Sequence, residues 1–221
     1  MIILANKPIG WTMLDLIKSF ESEYPNQKLS FAGRLDPMAF GVVKILIGDS
    51  VKNNLLESEG NKVYSFDFVH SFNTDSYDIL GIPEVCKSSN KISVGEYIQE
   101  YPPYSSVFIK EHKMPYWQVT KRGLKVTNIP TKKITISSFD KVSEKIISKD
   151  EFINTLTYQF SLLTKDTFRQ KEILEKWKEL DFEEVKITNY IVTISSGGYI
   201  RWIANQMGGC AMNIQRIKYT A

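Results

Sequence analysis

Two periods of apolar and polar residues divide the chain. From residue 62 the stretch KVYSFDFVHSF sets Tyr64, Phe66, Phe68 and His70 against Val63, Ser65, Asp67 and Val69. That repeat of two predicts a half-buried strand with a mainly aromatic face. The opening MIILANKPIGWT predicts a strand running into a Pro-Gly turn, GVVKILIG a second strand followed by a short helix, and KKITISSFDKV a third strand. Helical spacing replaces alternation after Thr12, where Met13, Leu14, Ile17 and Phe20 follow a threonine suited to cap the first turn. NTDSYDILG reads as a polar turn, and SVGEYIQEY as a helix that PPYSS ends, because proline cannot continue one. Residues 149–181 mix charges of both signs with apolar residues at helical intervals, predicting one or two amphipathic helices. From Glu184 onward the pattern is strand, glycine turn, helix starting near Tyr199, and final strand. No repeat or linker interrupts this order. One domain over residues 1–221 is expected, with a helical insertion at about 147–182.

Composition adds limits. The chain of 221 residues is 43% hydrophobic and 24% charged, and its net charge of +3 fits a polyanionic partner without requiring one. Cys86 and Cys210 lie too far apart for a disulfide scaffold, and His70 and His112 form no zinc-ligand spacing, so no metal is expected. No basic leader precedes the short apolar start, and no window reaches the roughly 20 apolar residues of a membrane helix. A cytoplasmic protein with no membrane association is expected.

Four stretches carry candidate chemistry. In GRLDP, proline holds Asp36 extended, Gly33 permits a close backbone approach, and apolar flanks limit water at the carboxylate. A secluded carboxylate stays ionised only beside a cation or hydrogen-bond donors. The same residues also suit a helix cap, with Asp36 opening a helix at Pro37, and taken alone the stretch favours the cap. In SSGGYIRWIA, Arg201 falls on the first turn of a helix, where the macrodipole disfavours a cation. It is either the partner of a buried carboxylate or an exposed arginine. Tyr64 on the aromatic strand face is either core or a ring that stacks on an extruded base. The segment from Tyr104 to Lys133 interleaves Lys110, Lys113, Lys121, Arg122, Lys125, Lys132 and Lys133 with aromatic rings. It is either a solvated surface or a single-stranded RNA surface.

These pieces occur together and in order. NKPIGWT, AGRLDPMAFGVVKILIGDSVK, KVYSFDF, TDSYDILG, PPYSSVFIK, PYWQVTKRG, SSGGYIR and NIQRIKYT span most of the chain outside 140–185. In this the sequence resembles the TruB-type pseudouridine synthases, which act on the T-loop uridine of tRNA (position 55). The resemblance implies an α+β pseudouridine synthase fold, with a mixed, mainly antiparallel central sheet flanked by helices and loops. Asp36 matches the catalytic aspartate, Tyr64 the tyrosine that stacks on the target base, and Arg201 the arginine paired with the aspartate. Ile214 falls where the family has a leucine lining the uracil pocket, and Asp75 and Asp78 fall in its TDTxD-like loop. Lys7, Lys110 and Arg122 match positions near the RNA, and Phe31 and Tyr199 complete the expected substrate-binding set.

The implied reaction isomerises uridine to pseudouridine by base flipping, with no cofactor. The partner is the T-arm of tRNA, and a monomer is expected. Phe31 replaces a histidine usual in the family, and Arg34 replaces a usually small residue, giving a GRLD run typical instead of the ribosomal-RNA enzymes of the RsuA group. No C-terminal PUA-like domain of the family's kind is expected after the final strand, and the helical stretch is expected to supplement or replace its role in tRNA binding. Modification of another RNA and a non-catalytic tRNA-binding or folding role are the alternatives.

Overall fold

Strand-forming residues dominate the architecture. The computed structural model describes residues 1–86 and 89–220. Along the first half run β1 (Ile2–Lys7), β2 (Leu29–Ala32), β3 (Phe40–Ile47), β4 (Asn61–His70), β5 (Phe72–Thr74), β6 (Pro83–Val85) and β7 (Gly95–Glu100). The second half adds β8 (Phe108–Ile109), β9 (Met114–Pro115), β10 (Thr131–Ser148), β11 (Glu184–Ile194) and β12 (Gly209–Thr220). The main sheet has the order β1-β3-β12-β4-β11-β10-β7, with β2 beside β3. Its pairings are antiparallel except for β12 with β3, giving the mixed, mainly antiparallel sheet expected. The helices are α1 (Met13–Lys18), α2 (Asn54–Glu57), α3 (Tyr116–Lys121), α4 (Lys149–Ser161), α5 (Gln170–Glu179) and α6 (Ile200–Gln206), so the fold is α+β. Thr12 caps α1 in a reciprocal capping box with Asp15.

One edge of β3 is divided, and that division places the site. β1 runs along the other edge, whereas this edge is shared by β2, opposite Lys44–Ile47, and β12, opposite Phe40 and Gly41. The chain from Gly33 to Ala39 links β2 to β3 where those two neighbours part. Gly41 has φ +102°, and a Cβ there would lie 2.3 Å from the Arg216 carbonyl oxygen on β12. Only glycine lets the parallel strands come this close.

The strand period separates two cores. Tyr64, Phe66 and Phe68 bury the aromatic face of β4 with Val43, Ile45, Val192, Ile194 and the α6 residues Trp202 and Ile203. Val69, out of phase with those rings, joins a second core on the opposite face with Ile187 and Met212. Residues 149–183 leave and return at one point, because Ser148 pairs with Glu184 and the Lys149 amide donates to the Glu183 carbonyl at 2.7 Å. Within this excursion α4 buries Phe152, Leu156 and Phe160, and α5 buries Ile173 and Trp177, in the second core. Trp177 meets Phe152 and Phe72 edge-on at 5.1 and 5.5 Å. Two amphipathic helices therefore form where expected, with their apolar faces used for packing.

Two boundaries differ from the sequence reading. Residues 93–101 contain no helix: β7 pairs with β10 from Thr131 to Ile136. Tyr97 and Gln99 turn inward while Glu96, Ile98 and Glu100 face solvent, so the stretch alternates, and an edge ladder supplies backbone bonds that a helix of this length barely could. Strand β10 also extends to Ser148, so the excursion starts at Lys149. Among the described residues no helix is long and apolar enough to cross a membrane.

Phe152 is fully buried at the centre of the second core. Phe152→Ala is expected to destabilise the protein by about 3–5 kcal/mol, lowering the urea midpoint without changing the slope of the transition.

Candidate active site

Arg201 is a buried cation, only 2% exposed, on the first turn of α6. Its Nε donates to Asp36 Oδ2 at 2.8 Å, and its Nη1 donates to the carbonyls of Ser76 at 2.6 Å and Pro103 at 2.9 Å. Asp78 Oδ2 lies 3.9 Å from Nε, and the guanidinium sits over the Tyr199 ring. Burial opposes this charge, but the Asp36 and Asp78 carboxylates outweigh it and raise the Arg201 pKa. Of the two readings left open for GRLDP, the ion pair is the one realised. No helix opens at Pro37; the Ala39 amide donates to the Asp36 carbonyl at 3.0 Å and closes a turn.

Buried cations hold that turn from behind. Lys7, 1% exposed, donates to the carbonyls of Ala39 at 2.6 Å, Pro8 at 2.9 Å and Pro37 at 3.2 Å. Burial lowers its pKa to about 7, against the opposing pull of Asp36 and Asp15. Lys7, expected near the RNA, thus has its ammonium enclosed and its donors engaged with backbone. From β12, Arg216 donates Nε to the Val42 carbonyl at 2.6 Å and Nη2 to the Gly33 carbonyl at 2.8 Å, and its Nη1 reaches the Tyr64 hydroxyl at 3.5 Å. Gly33 takes φ +75°, and a Cβ there would stand 3.3 Å from Arg216 Nη1. Both glycines bracketing the motif thus make room for one arginine and its strand.

The turn before α6 is fastened by a residue from the edge strand. Gln99, fully buried, accepts from the Tyr199 amide at 2.7 Å and donates to the Gly197 carbonyl at 3.1 Å. Burial and the nearby Asp36 push the Tyr199 phenol well up, keeping its hydroxyl protonated.

Asp36, Tyr64, Arg201, Phe31, Tyr199 and Ile214 all line one cleft of about 500 Å³. That volume falls within the roughly 300–1,000 Å³ of small-ligand sites. Arg34, Lys62, Lys132 and Arg216 bring positive charge to its lining, and exposed Arg34 lies over the Phe31 ring at 5.2 Å. The remaining expected residues stand elsewhere. Asp78 is buried behind Arg201, accepting from the Ser76 hydroxyl at 2.6 Å and the Leu80 amide at 3.0 Å. Asp75 is paired with Arg169. Lys110 and Arg122 are exposed on the unit built from β8, β9 and α3, outside the cleft lining. Tyr116 in that unit is buried in a small core with Ile109 and Val119, so its ring is structural.

Comparisons with known proteins bear on the family and the fold. Residues 22–155 match the family model described as TruB family pseudouridylate synthase (N terminal domain). The chain belongs to the TruB family. Among curated TruB relatives, tRNA pseudouridine synthase B of Fusobacterium nucleatum subsp. nucleatum is 31% identical over 175 residues, covering 71% of this chain and 60% of that protein. The enzyme of the same name from Nitratidesulfovibrio vulgaris is 28% identical, with coverage of 95% and 59%. The chain thus spans about three fifths of the length of these relatives. Among solved structures, a Cbf5-Nop10-Gar1 complex matches 99% of this chain and 48% of its own, at TM-score 0.53 and 12% identity. An H/ACA RNP bound to a substrate RNA containing 2'-deoxyuridine matches at TM-score 0.51 and 13% identity. At such identities these two establish a shared fold.

Arg216 and Gln99 are functional neighbours that sequence reasoning missed. Arg216 has a signal, since it shares the inward phase of Ile214 in NIQRI. Gln99 was hidden by reading its strand as a helix.

Of the two carboxylates beside Arg201, Asp78 is the farther, at 3.9 Å against 2.8 Å, and the more buried. Burial, opposed by Arg201, raises the Asp78 pKa to about 6 from 3.8. Between those values the folded protein holds a proton that the unfolded chain has released, so stability falls as pH rises through this window. In Asp78→Asn, which keeps the acceptor for Ser76 and Leu80, this fall is expected to disappear when unfolding is compared from pH 4 to 6.

Proposed function

We propose that this chain isomerises uridine to pseudouridine in tRNA, with the T-loop uridine as its target. The observation that carries the reading is the set around Asp36: a carboxylate at the wall of a base-sized cleft, oriented by Arg201 and facing Tyr64 and Ile214. Supporting it are the family membership and the curated relatives named for this activity.

The chemistry asks for little beyond this set. The N1–C1′ bond breaks, the uracil reorients, and C5 joins C1′; C5 gives up one proton and N1 gains one, so the reaction balances without a co-reactant. Asp36, whose side chain is 25% exposed on the cleft side, is the group that acts on the nucleoside. Arg201 donates to one carboxylate oxygen and so fixes the direction of the free one. Tyr64, with its hydroxyl toward Arg216, offers a ring for stacking while the base turns. Ile214 supplies an apolar wall. A uridine inside a folded RNA must be extruded to reach the cleft, at a cost of a few kcal/mol that stacking and phosphate contacts offset. Exposed Arg34 and half-buried Lys132 at the cleft are suited to the flanking phosphates, whereas Lys62 is buried and donates to the carbonyls of Ser58 and Gly60.

Incubating unmodified tRNA and ribosomal RNA with the protein, followed by chemical mapping of pseudouridine, tests the reading. Conversion confined to the T-loop uridine is expected. Conversion elsewhere alone would reassign the target, and intact binding with no conversion would favour an RNA-folding role. Asp36→Asn is expected to abolish conversion while leaving RNA affinity within about tenfold, because affinity for a polyanion depends on cations. A filter-binding titration beside the mapping reads both.

A further inference from the structure

The mechanism makes no use of Arg169, which lies between α4 and α5. Its backbone sits in the left-handed region at φ +60°, uncommon for a residue with a side chain. Its guanidinium grips both oxygens of Asp75, Nη1 to Oδ2 at 2.9 Å and Nη2 to Oδ1 at 3.2 Å, and lies over the Tyr104 ring at 5.1 Å. Tyr104 is also left-handed, at φ +61°. Burial, with the neighbouring Asp75 carboxylate, pushes its phenol up to about 12.

The partners matter because of what adjoins them. Asp75 precedes Ser76 and Tyr104 follows Pro103, and the carbonyls of Ser76 and Pro103 are the backbone acceptors of Arg201 Nη1. One cation therefore ties together, from behind, the two loops that grip the other. Among the described residues no other side-chain hydrogen bond or ring contact from the excursion reaches both loops. Thr164 instead fastens the excursion to the Pro-Gly turn, its amide donating to the Gly10 carbonyl at 3.2 Å while the Gly10 amide donates to Pro37 at 2.9 Å.

We propose that Arg169 is a positioning residue, carried on the helical excursion, that sets the orientation of Arg201 and through it of Asp36. The side chains of Arg169 and Asp75 are about a third exposed, at 32% and 38%. An ion pair so exposed adds little to global stability. Its planar two-point grip and the stacked ring instead restrict geometry, which arginine does and lysine does not. Asp75 keeps the Ile82 amide as a donor at 2.8 Å when Arg169 is removed, so the variant is expected to fold.

The effect on turnover rests on the isomerase reading; the effect on Arg201 does not, and the test separates them. The Arg201 Nε–H is read by ¹⁵N NMR, assigned by its loss in Arg201→Lys. Its hydrogen exchange is expected to be at least about tenfold faster in Arg169→Ala, with Arg169→Lys between the two because it keeps the charge without the fork. Unchanged exchange in a folded Arg169→Ala overturns the proposal. In single-turnover and steady-state assays on tRNA, kcat is expected to fall about tenfold with KM within about twofold. A raised KM with unchanged kcat overturns it as well, since that marks direct contact with RNA. A wild-type protein inert on every RNA defeats the isomerase reading and leaves the exchange measurement to decide the role of Arg169.

Discussion

Everything near the cleft answers to the burial of Arg201. A guanidinium withdrawn from water is tolerated only when its donors and its charge are met by fixed partners. Here the partners come from four parts of the chain: Asp36 before β3, Ser76 and Asp78 after β5, Pro103 after β7, and Tyr199 at the start of α6. Apart from the bridge that ties Asp78 to Ala211 on β12, these segments have little regular structure of their own to set their shape. The arginine is the point where they converge, and the requirement to satisfy it places Asp36 at the wall of the cleft.

The sheet provides the rest of the rigidity through its one irregularity. Because β2 and β12 share an edge of β3, the segment carrying Asp36 links two strands that diverge, and backbone pairing cannot shape it. Side chains take over that task. Lys7 caps the carbonyls of Pro37 and Ala39 from β1, and Arg216 caps that of Gly33 from β12. Placing ammonium and guanidinium groups against carbonyls costs desolvation, visible in the lowered pKa of Lys7, and yields a loop with few alternatives.

Elements whose period is set locally were legible in the sequence: the aromatic face of β4, the cap of α1, the two helices of the excursion and the final strand. Asp36, Tyr64 and Arg201, singled out by the order of motifs and the family they resemble, do share one cleft. What escaped depends on distant pairing. The stretch 93–101 has helix-compatible residues and becomes a strand only because β10 offers an edge, and with it Gln99 becomes the fastener of the Gly197–Tyr199 turn. Lys7 matched a family position near the RNA, and nothing local in the sequence reveals the three carbonyls that converge on its ammonium. The link from Arg169 to Asp75 spans 94 positions and carries no motif at all.

The cations therefore divide by exposure, and the division assigns their work. Lys7, Arg201 and Arg216 are each no more than 2% exposed and are committed to backbone or to carboxylates, so they give shape and a local field without further conformational cost. Lys110, Lys113, Lys121, Arg122 and Lys125 are exposed on a unit with its own small core, and they add long-range attraction for a polyanion that salt screens. A net charge of only +3 conceals this arrangement, because acidic residues offset it elsewhere. Arg169 stands between the two groups: partly exposed, yet bonded to the loops that hold the buried set. Its position explains how helices with no residue lining the cleft remain coupled to the geometry of Asp36.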